Sequence, residues 1–297
     1  MRGCLFRIQQ LNAVQANDIE GHLSNPDDIL NDWSNDPKRP VFLIDETRRP
    51  VFEGSDQIIF FTCVSLTGSV AECLQKGIRA ARVTDTSLKA LDLKRPEVQR
   101  DYAPLVGIWC GSLQLVQDIN IVATTAKGVK KTKHSKARLR MIYDQPASGR
   151  PPIIEDRELN AVIHLVLKTA IGLGIGPRQV DVVLDRSEQI GMSPGKRRLP
   201  TGVFEVMGPS RLDIQPDGSR ASLECPAKFR LIADSEQGPF RDLLMLPELY
   251  GYLLLYGIMN DKKLYESLEK EPYLLLHLDI EKAKEEIRKL SQRVGPI

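Results

Sequence analysis

The sequence predicts an α/β fold, with a mixed sheet that opens on an antiparallel hairpin and is flanked by helices. Three observations predict it. Two continuous apolar runs, Pro40-Val-Phe-Leu-Ile-Asp45 and Gln179-Val-Asp-Val-Val-Leu-Asp185, have the pattern of strands buried on both faces. A run rich in β-branched and aromatic residues, Gln57 to Val64, follows the first of these after a turn. Between them lies LNAVIHLVLKTAIGLG, a helical pattern closed by glycine.

Taken in order, residues 1–38 form an opening segment ending in NPDDILNDWSNDPKRP, whose prolines and Asn/Asp residues mark a loop around a short helix. The strand at 40–45 is expected to turn at ETRRP and resume at Val51-Phe52, before the second strand of an antiparallel hairpin. Ser69, with Glu72 three residues on, has the capping-box spacing for a helix reaching about Ala81. Residues 84–105 carry helical spacing interrupted by Pro96 and Pro104, and Leu105 to Thr125 is read as strand. Arg138 to Tyr143 alternates basic and apolar side chains, as a half-exposed strand does. The glycine-closed helix spans Asp156 to Gly172, and a Gly/Pro/Lys/Arg loop occupies 191–201. Short strands are expected at Gly202–Val206 and Lys228–Ala233, a buried helix from near Pro247, and an amphipathic helix from Asp279 to Arg293. The expected organisation is an N-terminal accessory segment (1–38), a main domain (39–260) and a C-terminal helical accessory (261–297). The accessories would serve for homo-oligomerisation.

The 297 residues are ample for a core, and 42% hydrophobic with 27% charged residues excludes a disordered, collagenous or coiled-coil chain. The net charge of +2 gives no global reason to expect nucleic acid, so any such footprint must be local. Five cysteines without a CxxC pair fit neither a disulfide framework nor a zinc ribbon. The start lacks an apolar signal segment, and the apolar stretch Leu243–Met259 is interrupted by Pro247, Glu248, Gly251 and Gly257. A cytoplasmic protein with no membrane partner is the expectation.

Two predicted strands finish on carboxylates, Asp45 with Glu46, and Asp185. Strand ends form the usual rim for a site in a sheet packed by helices, and acids converging there make an oxygen-rich pocket suited to Mg²⁺ or Mn²⁺. Glu248 is the third candidate. Following Pro247, it would lie in the first turn of an otherwise apolar helix, where a charge needs a partner. Each residue also has a structural reading: a strand-end Asp can terminate a turn, and a first-turn Glu complements the helix dipole.

VFLIDETRRP followed by IIFFTCVSL, then VDVVLDRSEQIG, then ADSEQGPFRDLLMLPELYGYLL, resemble in order three blocks of the domain-of-unknown-function family numbered 3800, of the ribonuclease H-like superfamily. The resemblance spans residues 40–258. It implies a ribonuclease H-like mixed sheet and metal-dependent phosphodiester chemistry. It carries over Asp45, Glu46, Asp185 and Glu248 as catalytic acids, with Asp45, Asp185, Glu248 and Asp234 holding one or two Mg²⁺ or Mn²⁺ ions. Thr47 stands where the family has Ser, and Glu248 where Asp is usual.

A local basic footprint accompanies the acids. Lys127, Lys130, Lys131, Lys133, Lys136, Arg138 and Arg140 lie in a stretch without acids, and Lys196, Arg197 and Arg198 form a second cluster after Asp185. Such clusters neutralise phosphates without reading sequence, although alone they are also what a solvated loop carries. Aromatic interleaving is absent, so base stacking is not indicated.

Rival motifs lack their context. Gly191-Met-Ser193-Pro-Gly195 matches a nucleophile elbow, with Asp234 or Asp242 and His277 following in hydrolase order. However, RSEQI separates it from the strand and Pro194 replaces the helix. Gly172, Gly174 and Gly176 follow a helix and precede a strand, the reverse of a dinucleotide-binding turn. No GxxxxGK[ST] occurs. The four histidines have no metal-ligand spacing, and His164 reads as a core residue. The expectation is a metal-dependent nuclease or phosphodiesterase. The alternative is a non-catalytic binding or assembly protein that keeps the fold.

Overall fold

The apolar runs form the middle of one mixed sheet. A computed structural model describes residues 26–50, 57–81, 103–112, 114–125, 137–141, 153–154, 157–176, 179–185, 202–207, 212–214, 221–223, 228–234, 238–255, 266–268 and 274–276, and the individual residues 95, 97, 100, 285, 288 and 289. Strands β1 (Pro40–Pro50) and β2 (Gln57–Thr67) make the expected antiparallel hairpin, in register from Pro40↔Thr67 to Pro50↔Gln57. Residues 46–50 continue β1 instead of turning the chain. Their pairing with Phe61, Phe60, Ile59 and Ile58 supplies neighbours that outweigh the polar and proline cues.

Strand β3 (Asp118–Thr125) joins β2 antiparallel, while β6 (Asp181–Asp185) joins the other side of β1 in parallel. Strand β10 (Lys228–Asp234) lies parallel to β6. Strands β7 (Gly202–Met207), β4 (Ala137–Met141) and β5 (Ile153–Ile154) then continue antiparallel. Strand β11 (Leu274–Leu276) covers β3 at the far side. Among the described residues the order is β11-β3-β2-β1-β6-β10-β7-β4-β5, beside a separate ribbon of β8 (Leu212–Ile214) and β9 (Ala221–Leu223).

Helices cover both faces. On one face α1 (Pro26–Asn35), α2 (Gly68–Ala81), α3 (Ala103–Ser112) and α5 (Arg241–Leu255) pack with Val41, Leu43, Val64, Leu66, Val183 and Ile232. On the other face α4 (Arg157–Gly172) packs with Phe42, Ile44, Phe61, Cys63, Val182, Leu184 and Leu231. Burial on both sides explains the apolar runs Val41–Ile44 of β1, Val182–Leu184 of β6 and Leu231–Ala233 of β10. Each fully buried Val, Leu or Ile contributes about 1.5–3 kcal/mol.

Three local expectations change. Residues 103–112 are helical, not strand; a short run apolar on all sides lacks the periodicity that separates the two. Helix α2 begins without the capping box. Its first amides donate to backbone carbonyls, Gly68 N to Arg39 O (2.7 Å) and Ser69 N to Pro37 O (3.1 Å), and Glu72 turns to Lys76 one helical turn on. Helix α5 begins at Arg241, six residues before Pro247, which therefore sits inside the helix and leaves a backbone carbonyl one turn earlier without its helical donor.

The described parts of the flanking segments pack with the main sheet. Trp33 of α1 is fully buried, its ring centroid 5.4 Å from that of Phe240, and β11 extends the sheet from within the stretch expected to be a helical accessory. Of the expected C-terminal helix, the described residues 285, 288 and 289 are helical.

Candidate functional site

Three aspartates lie at one level on three adjacent parallel strands. Asp185 and Asp234 end β6 and β10, while Asp45 stands midway along β1, which runs on to Pro50 in its hairpin instead of stopping at the acid. Ile44 of β1 is level with Leu184 of β6, so Asp45 and Asp185 are the next residues along, and Asp234 of β10 pairs in register with Asp185. Side chains alternate along a strand, which fixes the face each acid shares. Asp45 shares that of Leu43, Asp185 that of Val183, and Asp234 that of Ile232, all against the four-helix layer. Helix α5 crosses this face and carries Glu248, flanked by the buried Pro247 and Leu249.

Two of the other acids act on the charge of Asp45. The Asp45 carboxyl is pushed well above the usual carboxylate range, first by burial and then by the negative charges of Asp185 and Glu248. A hydrogen bond from the Glu46 backbone opposes the rise without cancelling it. Like charges gathered in a half-buried place are unfavourable unless a proton or a cation joins them. The donor set is all carboxylate oxygen, the chemistry that suits Mg²⁺ or Mn²⁺. Among the described residues, no three His, Cys, Asp or Glu side chains are already grouped closely enough to hold an ion.

Glu46 belongs elsewhere. One residue beyond Asp45, it faces the α4 layer, where Arg48 donates Nε to its Oε1 (2.9 Å) and a terminal nitrogen to its Oε2 (3.0 Å). Arg48 also reaches Glu158 at the start of α4, 2.8 Å from Oε2. Burial opposes the charge of Arg48, but the two glutamates hold its pKa above the ordinary value.

Asp234 shares the face of Asp45 but has a structural task. It is fully buried, and its Oδ2 accepts the Phe240 amide at 2.7 Å, closing the turn that leads into α5. Gly238 makes room for it: a Cβ there would lie 1.6 Å from Asp234 Oδ1. This turn places the start of α5 and moves Glu248 from the expected first turn to the helix interior, so the helix dipole does not account for it.

Comparison with protein-family models, curated proteins and solved structures gave no match to this chain. Lys130, Lys131, Lys133, Lys136, Lys196, Arg197 and Arg198 lie outside the described residues, as do Gly191–Gly195 and His277. His164 is half-buried in the middle of α4.

Two groups escaped the sequence reading. At the opposite end of β6, the fully buried Asp181 accepts Trp33 Nε1 and Arg230 Nε, each at 2.9 Å, and forms an ion pair with Arg39 at 3.0 Å. Arg230 also pairs with Asp32 of α1. Burial disfavours its charge, yet hydrogen bonds to Asp181 and Asp32 raise its pKa. The signal was a charge in an apolar strand, four residues and two pleats before Asp185. The second group is Thr62, which pairs across the hairpin with Asp45 on the same face.

Proposed function

We propose that the protein is a divalent-metal-dependent nuclease or phosphodiesterase in which Asp45 and Asp185 hold Mg²⁺ or Mn²⁺, with Glu248 as the third acid. The observation that carries this reading is the juxtaposition of Asp45 and Asp185 on adjacent parallel strands, just past the last paired residues Ile44 and Leu184, with Glu248 of α5 close enough to raise the Asp45 pKa. A bound ion would activate water and stabilise the leaving oxygen of a phosphodiester. Around it the chain contributes position: two buried parallel strands fix the aspartates, and the Asp234 turn fixes the helix that carries Glu248.

A ribonuclease H-like arrangement is supported by the hairpin opening, the adjacent parallel strands that carry acids at one level and the helices on both faces. Nucleic acid as substrate draws its support from the basic stretches 127–140 and 196–198. Strand β4, which carries Arg138 and Arg140 of the first stretch, is joined to β10 through β7. Among the described residues, no helix is long and apolar enough to cross a membrane.

The test is cleavage of labelled single- and double-stranded DNA and RNA with Mg²⁺, Mn²⁺ or EDTA. Metal-dependent cleavage lost in Asp45→Ala and Asp185→Ala is the expected result. No cleavage, together with no stabilisation by either metal, overturns the proposal. A non-catalytic binding or assembly protein on the same frame is the second reading. It is favoured by the absence, among the described residues, of three acids already grouped around an ion position.

A further inference from the structure

Thr62 sits in the middle of β2 with 1% of its surface exposed, and among the described residues its Oγ1 has no hydrogen-bond partner. A buried hydroxyl without a partner is costly, and native structures keep few of them. Its direction is known from the helix above: a Cβ built on Gly251 would lie 2.6 Å from Thr62 Oγ1. The hydroxyl therefore points towards α5, into the layer where Asp45 lies. Gly251 follows Glu248 by three residues, so both look down on the same strip of sheet. Asp45 and Thr62 are register partners across the hairpin, where Cβ atoms of opposed residues stand about 4.5–5.5 Å apart. The two side chains are therefore neighbours on one face of the hairpin.

We propose that Thr62 is a positioning residue of the metal centre, donating its hydroxyl proton to the Asp45 carboxylate when that acid is ionised and holds a cation. This rests on the metal-site reading above. A charged acceptor makes a shorter and stronger hydrogen bond than a neutral one, so the bond gains most in the metal-bound state. Donors of this kind orient ligand carboxylates, and losing one costs about 10–100-fold in metal affinity. The small residue at Gly251 keeps the space above the hydroxyl clear, which a larger side chain would fill.

The experiment is Mn²⁺ titration of the full chain by calorimetry, with melting temperatures in EDTA recorded in parallel, for wild type, Thr62→Val, Thr62→Ser and Asp185→Asn. Valine keeps the shape and removes the donor; serine keeps the donor. The expected result is an Mn²⁺ dissociation constant weakened about tenfold or more in Thr62→Val, restored in Thr62→Ser, with the melting temperature of Thr62→Val in EDTA equal to or above wild type. If the extra methyl of valine prevents folding, Thr62→Ala removes the same donor without it and is titrated instead. Unchanged Mn²⁺ affinity in Thr62→Val, with affinity lost in Asp185→Asn, overturns this proposal and leaves the metal site standing. No Mn²⁺ binding by wild type overturns both.

Discussion

Replacing Asp45 by Asn removes one charge from the acidic cluster while keeping its size and shape. Asp45 and Asp185 lie on neighbouring strands, which are about 4.8 Å apart. At that separation and an effective dielectric of about 20, two carboxylates repel by about 3 kcal/mol. Protonation caps the cost: neutralising an ordinary Asp at pH 7 takes about 4 kcal/mol. Asp45→Asn is therefore expected to stabilise the metal-free protein by about 2–3 kcal/mol at pH 7–8, raising the melting temperature by about 4–8 °C.

The pH dependence fixes the sign. The folded-state pKa of Asp45 lies above its unfolded value, so the folded protein binds the proton more tightly. Its contribution to stability is fully present below the unfolded pKa and is lost as pH rises through the folded pKa. The advantage of Asn should thus be large at pH 8 and vanish near pH 3.5. Urea unfolding in EDTA at both pH values measures it. A loss of stability in Asp45→Asn at pH 8, or an equal gain at both pH values, would refute the reasoning.

Asp234→Ala should act in the opposite direction, costing about 1–3 kcal/mol in urea unfolding because the Phe240 amide loses its buried acceptor. Gly238→Ala should likewise destabilise, since its methyl overlaps the Asp234 carboxylate, and the melting temperature will show it. Arg230→Met leaves Asp181 buried without its main partner and is expected to cost about 3–5 kcal/mol; Arg230→Met with Asp181→Leu should recover much of that. Glu46→Gln is predicted to cost about 1 kcal/mol through its pair with Arg48 and to leave Mn²⁺ stabilisation as in wild type, because it faces the α4 layer. Loss of the Mn²⁺ effect in Glu46→Gln would return it to the metal centre.

Local chemistry determined much of this protein. The runs at 40–45, 57–64 and 179–185 carry the strand pattern and form strands, and the glycine after Ile171 ends α4 where the pattern said it would. That Asp185 closes its strand was likewise legible, because the apolar run and its terminal acid are contiguous in sequence; Asp45 was expected to close one too, but hairpin pairing carries β1 on to Pro50. What only the tertiary structure decided is which acids meet. Asp45 and Glu46 are neighbours in sequence yet point to opposite faces, and only strand pairing and helix placement reveal which face holds Glu248. Asp234 entered as a ligand through the family resemblance; in the structure it accepts the Phe240 amide just ahead of α5. Asp181 needed Trp33 from 148 residues away to show its purpose. Short-range physics writes strands, helices and their ends into the sequence, whereas the partner of a buried polar group is chosen by contacts between segments that no local pattern records.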